Sequence, residues 1–110
     1  MPKYLFKSHL NVQGLEGTLK DGGTGRRAAV KSAGEALGGK LEAFYYAFGS
    51  TDAYVIMELP DNAAALAAAA SVVLSGAGGV ETVVLIEPEE IDATAETMSR
   101  MADAYRPPGG

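Results

Sequence analysis

The 110-residue chain contains no cysteine and no tryptophan, and it has one histidine. Without thiols there can be no disulfide, no thiolate metal site and no cysteine nucleophile. A metal centre would need carboxylates gathered around a single imidazole, so neither a metal nor another cofactor is expected. Positive charge is also scarce: 9 Lys and Arg stand against 14 Asp and Glu, a formal net charge of -5. Such a surface repels phosphate backbones and anionic lipid, which argues against nucleic acid and membrane partners. No uninterrupted apolar run is long enough to cross a bilayer. The longest, NAAALAAAASVVLSGAGG, is broken by Ser71 and Ser75. The first residues, MPKYLFKSHL, lack the apolar core of a signal peptide. These absences describe a soluble, cytoplasmic protein.

What is present is an ordinary globular composition, 47% hydrophobic, at a length suited to one domain. No internal repeat or linker divides residues 1–110, and 105–110 read as a tail. KYLFKSHL (3–10) reads as a strand. VQGLEGTLKDGG (12–23) has Leu15 and Leu19 four apart, a short helix stopped by Gly22 and Gly23. RRAAVKSAGEALGG places Ala29, Val30, Ala33 and Leu37 on one stripe, a longer helix ended by Gly38 and Gly39. KLEAFYYAFG (40–49) and AYVIMEL (53–59) form a hairpin around a tight turn at 50–52. Asp61 or Asn62 can cap a helix running through the alanines to about Leu74. VETVVLI (80–86) is a fourth strand. A last helix follows, with Pro88 and acidic residues in its first turn, and it ends before PPGG.

The order is βαββαβ plus a terminal helix. That is the α+β, ferredoxin-like pattern: an antiparallel sheet with helices on one face. Strict alternation assigns Tyr4, Phe6, Ser8, Leu41, Ala43, Tyr45, Ala53, Val55 and Met57 to the helix side. It sends Leu5, Lys7, His9, Phe44, Tyr46, Phe48, Tyr54 and Ile56 to the other side. The second face is too apolar for water, so a second copy of the chain is the expected cover.

MPKYLF, GLEGTLKDGGTGRRAAV, LGGKLEAFYYAFG, ELPDN, EPEE and YRPPG together resemble the GYD-domain family. The resemblance extends from Pro2 to Gly109. It implies small, mostly bacterial cytoplasmic proteins of the dimeric α+β barrel kind, without an established biochemical role. Members typically read FGxYDxY after the aromatic strand. Here the stretch is FGSTDAY: Gly49, Asp52 and Tyr54 match, and Thr51 stands where the tyrosine would be.

Several residues are candidates for chemistry. His9 with Asp52 could supply a general base, although a lone histidine is more often a satisfied polar group. Asp52 in a turn also has a structural role open to it, accepting local backbone N–H bonds. Phe44, Tyr46, Phe48 and Tyr54 could line a small apolar pocket with phenol handles. Arg26 and Arg27 follow a glycine cluster and could hold a phosphate or carboxylate. No GxxxxGK[ST] or GxGxxG motif accompanies them, and a glycine hinge with the arginines paired to Glu16 or Asp21 explains the segment too. Pro2 raises a further alternative, an N-terminal-proline tautomerase. With Met1 attached, however, the Pro2 nitrogen is an amide without basicity. The reading is a homo-oligomeric binder of a small molecule, or a cofactor-independent enzyme. A non-catalytic, anion-sensing oligomer is the alternative.

Overall fold

A computed structural model describes all of residues 1–110. The elements follow in the order β1 (Lys3–Leu10), α1 (Val12–Asp21), α2 (Gly23–Ala36), β2 (Lys40–Tyr46), β3 (Ala53–Glu58), α3 (Asn62–Leu74), β4 (Gly78–Leu85) and α4 (Pro88–Ser99). The four strands make one antiparallel sheet in the order β2-β3-β1-β4. This is the ferredoxin-like arrangement: each β–α–β crossing skips one strand position, and the hairpin returns to fill it.

Local chemistry explains the boundaries. The Asn11 side chain accepts a hydrogen bond from the Gly14 N–H and starts α1. Asp61 does the same for α3 through the Ala64 N–H. Gly22 turns α1 into α2 at a φ of 81°, a conformation that only glycine adopts without strain. Gly22 is therefore the turn between two consecutive helices, and Gly23 and Gly25 lie inside the first turn of α2.

The helix side of the sheet holds the core. Tyr4, Phe6, Val55, Met57, Leu59 and Ala65 are buried together, with Val30, Leu37, Leu41 and Phe44 packed around them. The Tyr4 hydroxyl is satisfied by donating to Asn62 Oδ1 at 2.7 Å. Helix α2 packs mainly on β2, and α3 mainly on β4. Helix α1 lies against α2 and the end of β1.

Strict alternation fails at one point. The β2–β3 register slips between Leu41 and Ala43, with Leu41 opposite Met57 but Ala43 opposite Ile56. One extra residue in a strand sends every later side chain to the opposite face. Phe44 and Tyr46 therefore stand opposite Val55 and Ala53, on the helix side. Ala43 and Tyr45, expected inside, stand opposite Ile56 and Tyr54 on the outer face.

The outer face is consequently ordered in cross-strand rows. Ala43, Ile56, Leu5 and Val83 form a wholly apolar row. On one side of it lie Glu58, Lys3 and Leu85; on the other lie Tyr45, Tyr54, Lys7 and Glu81. Lys40 pairs with Glu58 at 3.1 Å, Lys3 with Glu42 at 2.9 Å, and Lys7 with Glu81 at 3.5 Å. The bulge brings Glu42 within reach of Lys3.

Candidate functional site: a cleft between the sheet and its helices

The core is full at one end of the sheet and hollow at the other. Near the start of β1, Tyr4, Met57 and Leu59 fill the space under the helices. Toward the end of β1 the facing row is Tyr46, Ala53, Ser8 and Val80. Its two central positions, Ala53 and Ser8, are small. The helices above contribute small residues too: Gly14 and Gly17 from α1, Ala29 and Ala33 from α2, Ala68 and Ser71 from α3. Small against small leaves a cleft of about 550 Å³.

Voids in ordinary protein interiors rarely exceed a water molecule. A volume of roughly 300–1,000 Å³ is that of a small-molecule site. The floor and back wall are mainly apolar, Phe6, Phe44, Val55, Met57 and Val80, with Ser8 as the polar residue of the floor. Thr18, Asp21, Arg26 and Tyr46 line the cleft toward the Gly22 turn, and Gln13 lines it at the start of α1. The Tyr46 ring lies against Gly23, the first residue of α2. A side chain at position 23 would meet that ring in van der Waals contact. Ser71 and Ser75 donate to the carbonyls of Ala67 and Val72 within α3, at 2.8 and 2.6 Å. Their polarity is spent inside the helix, and their side of the cleft is closer to apolar than its composition suggests.

Arg26 is the one cation on the wall and Asp21 the one anion. They contact each other at 3.4 Å, both about half exposed. An exposed pair at that distance contributes little to stability. The expected tether of an arginine to an acidic neighbour is thus present, through Asp21 and not Glu16. Arg27 is exposed and is not part of the wall.

The other candidates separate. Phe44 and Tyr46 line the cleft, but the register slip put them there. Phe48 stands fully in solvent beyond the end of β2. Tyr54 belongs to the outer face, across from Tyr45. His9 is exposed at the far end of β1, on the outer face opposite Gly79. Neither His9 nor Asp52 lines the cleft.

Asp52 instead closes a gap in the sheet. Strand β1 runs two residues past the point where β3 begins, since Ser8 pairs with Ala53. The Leu10 N–H would then lack a strand partner on that side. The Asp52 carboxylate accepts it at 2.7 Å, and the Asp52 N–H donates to the Ser8 carbonyl at 2.8 Å. Asp52 also accepts from the Ala47 N–H through its own carbonyl at 2.8 Å. It clamps the hairpin to β1. Thr51, where the family's tyrosine would stand, is the buried polar side chain of this turn. At the other end of β1, the Pro2 carbonyl accepts from the Leu59 N–H at 3.1 Å, holding Pro2 alongside the sheet.

Two signals in the sequence could have located the cleft. One is the pairing of Ser8 with the Gly14–Gly17 helix that follows it. The other is the Glu42–Ala43 interruption of an otherwise apolar strand.

A four-stranded antiparallel sheet with helices packed on one side, in this order, defines a ferredoxin-like α+β domain. The sequence profile of the GYD domain matches residues 4–95, most of the chain. The chain belongs to the GYD-domain family. No curated protein and no solved structure matches it. No helix is long and apolar enough to cross a membrane.

Proposed function

We propose that this protein binds a small, mainly apolar molecule in the cleft between the sheet and helices α1, α2 and α3. The observation that carries the reading is the hollow over Ser8 and Ala53, walled by aromatic and aliphatic side chains. The charged pair lies at one end with Thr18 and Tyr46, so the ligand has an apolar body and a polar end directed there; Gln13 and Ser8 offer further polar contacts along the cleft. Thr18, Tyr46, Asp21 and Arg26 offer donors and acceptors to that end. With one cation and one anion side by side, the rim suits a neutral head that both donates and accepts, such as an alcohol or a carboxamide. Binding is the activity supported best, because the wall holds no histidine and its one carboxylate is paired with Arg26.

A second copy of the chain is proposed to cover the outer sheet face. The row Ala43, Ile56, Leu5 and Val83, with Tyr45 and Tyr54 beside it, supports this. Tyr45 is 71% exposed in the single chain.

The test is titration with a medium-chain alcohol, its primary amide and its carboxylate, followed by calorimetry. Saturable binding of the alcohol or amide below about 100 μM, near -5.5 kcal/mol, is expected. It should be lost when Ala33 and Ala68 are both replaced by phenylalanine. Absence of saturable binding by all three compounds would overturn the proposal.

A further inference from the structure

Helix α1 turns its polar side inward. Gln13, Gly14, Gly17, Thr18 and Asp21 follow one another at alternating steps of one and three residues, so they share one side of the helix. All five line the cleft. Gly14 is buried, and it sits so close to Ala77 that a Cβ would overlap the Ala77 carbonyl. Val12, Leu15 and Leu19 occupy the opposite side and are exposed. An ordinary surface helix does the reverse. The cleft therefore has a mainly apolar floor on the sheet and a polar roof on α1.

That roof runs across the strands. At its start the Gln13 amide stands over Gly76, in the turn before β4: a Cβ at Gly76 would lie 3.4 Å from both Oε1 and Nε2 of Gln13. Beyond its other end, Gly23 lies against the Tyr46 ring of β2. Strands β4 and β2 are the two edges of the sheet. Three strand spacings separate them, about 14 Å. The ten residues of α1 rise about 15 Å. The inner side of α1 thus spans the cleft from edge to edge. Its neutral hydrogen-bonding groups fall at two stations, Gln13 toward the β4 edge and Thr18 with Tyr46 toward the β2 edge. Five residues separate Gln13 from Thr18, about 7.5 Å along the helix axis. The Ser8 hydroxyl is on the floor, on β1 between the two edges.

These groups are free to meet a ligand. Ser71 and Thr94 commit their hydroxyls to carbonyls of their own helices, at 2.8 and 2.7 Å. The Thr18 hydroxyl makes no such bond. Neither it, the Ser8 hydroxyl nor the Gln13 amide is hydrogen-bonded within the chain, and all three residues line the cleft. Hydroxyls and a carboxamide both donate and accept, so they suit a neutral partner. The charged groups at the Thr18 station, Asp21 and Arg26, contact each other.

We infer that the ligand carries a neutral hydrogen-bonding group at each end and lies along α1, across the strands, with the Gln13 amide reading its second end. The inference rests on the cleft being a small-molecule site, and it names the class of molecule. That class is an elongated apolar compound with two neutral polar ends, such as an α,ω-diol. Gln13 is then a specificity-determining residue.

The test compares a medium-chain monoalcohol with the α,ω-diol of the same length, by calorimetry on the intact protein. Against a wholly apolar end, a second hydroxyl weakens binding, because it leaves water without a new partner. Against the Gln13 amide it gains a hydrogen bond, and the diol should bind about 2–10-fold tighter than the monoalcohol. Gln13→Leu removes the amide at an exposed position, and circular dichroism verifies that the fold is kept. In that variant the order should reverse, with the affinity for the monoalcohol unchanged. A monoalcohol that binds saturably to wild type, with a diol that binds no tighter, overturns the inference and leaves the cleft reading standing. A diol advantage that survives Gln13→Leu does the same. Saturable binding of neither compound also overturns the inference, and if the primary amide fails to bind as well, the cleft reading falls with it.

Discussion

Replacing Ser8 with leucine puts three carbons where one oxygen stood, on the floor of the cleft. The outcome has opposite signs in a packed core and in a hollow one. In a packed core, added methylenes force side chains off their rotamers and cost about 1–3 kcal/mol. Over a hollow they bury apolar surface without a clash, at about 0.8 kcal/mol per methylene. Three carbons set the upper limit near 2.4 kcal/mol. The cleft opens to solvent on one side, so roughly half, about 1 kcal/mol, is the realistic gain. Leucine also fits a central strand at least as well as serine does. For a domain near 100 residues, about 1 kcal/mol raises the melting temperature by roughly 4–8 °C. Thermal unfolding followed by circular dichroism measures that shift. Binding of a fluorescent apolar dye should fall in the same variant, because the leucine occupies the dye's volume. A lower melting temperature for Ser8→Leu would refute the reasoning: it would mean that the space above Ser8 is already filled.

Asp52→Ala removes a charge-assisted acceptor from the Leu10 N–H, and should cost about 1.5–3 kcal/mol in denaturant unfolding while leaving ligand affinity unchanged. Unchanged stability with lost binding would assign Asp52 to a site instead. Gly14→Ala should destabilise the protein despite alanine's better helix propensity, because the new Cβ overlaps the Ala77 carbonyl oxygen; a gain in melting temperature would contradict that packing. The ladder at the β1 start makes stability depend on pH in two directions. A hydrogen bond from Lys40 is the main reason the Glu58 carboxyl is held below its ordinary 4.5, with burial opposing and the charges of Lys40 and Lys3 assisting. Its contribution is complete above that ordinary value and fades as pH falls through the lowered one. The bond to Glu42 raises Lys3 above its ordinary 10.5, with burial opposing and the charges of Glu42, Glu87 and Glu58 assisting. That contribution is complete below 10.5 and is lost as pH rises past the raised value. Melting scans should show Lys40→Gln losing less stability than wild type on the acid side, and Lys3→Gln losing less on the alkaline side.

The element order was legible because its signals are local. Glycine pairs, an Asp-Asn cap and a proline each act within one turn of chain, and they end or start helices wherever they occur. The register slip at Leu41–Ala43 left only the Glu42–Ala43 interruption as a mark in the sequence, because it is settled by pairing with β3 and leaves no turn residue behind. Alternation through KLEAFYYAF therefore assigned Phe44 and Tyr46 to the outer face, whereas both stand on the helix side and line the cleft. The outward stripe of α1 was hidden for a related reason. Leu15 and Leu19 spaced by four announce a helix, and the default turns such leucines inward. Only the close approach of Gly14 to Ala77 shows that the glycines occupy the inner side. The length of α4 was overestimated: the helix ends at Ser99, Arg100 to Ala104 form turns, and Tyr105 and Arg106 have no regular structure.

Two departures from ordinary patterning fall at the same end of the molecule, and they have one cause. A helix that presented Leu15 and Leu19 to the sheet would fill the space over Ser8 and Ala53. The leucines face solvent instead, and Gly14 and Gly17 line the cleft in their place. The hollow and the exposed stripe are thus the two sides of a single choice of which face of α1 turns inward. Both are unfavourable for an isolated domain: one forfeits burial, and the other leaves apolar surface in water. Local rules broken without compensation inside the chain mark functional sites. On the proposed function, a ligand under α1 offsets the first of these costs. It binds the folded chain and not the unfolded one, so a saturating alcohol ligand should raise the melting temperature. Equal melting temperatures with and without the ligand would refute the reading.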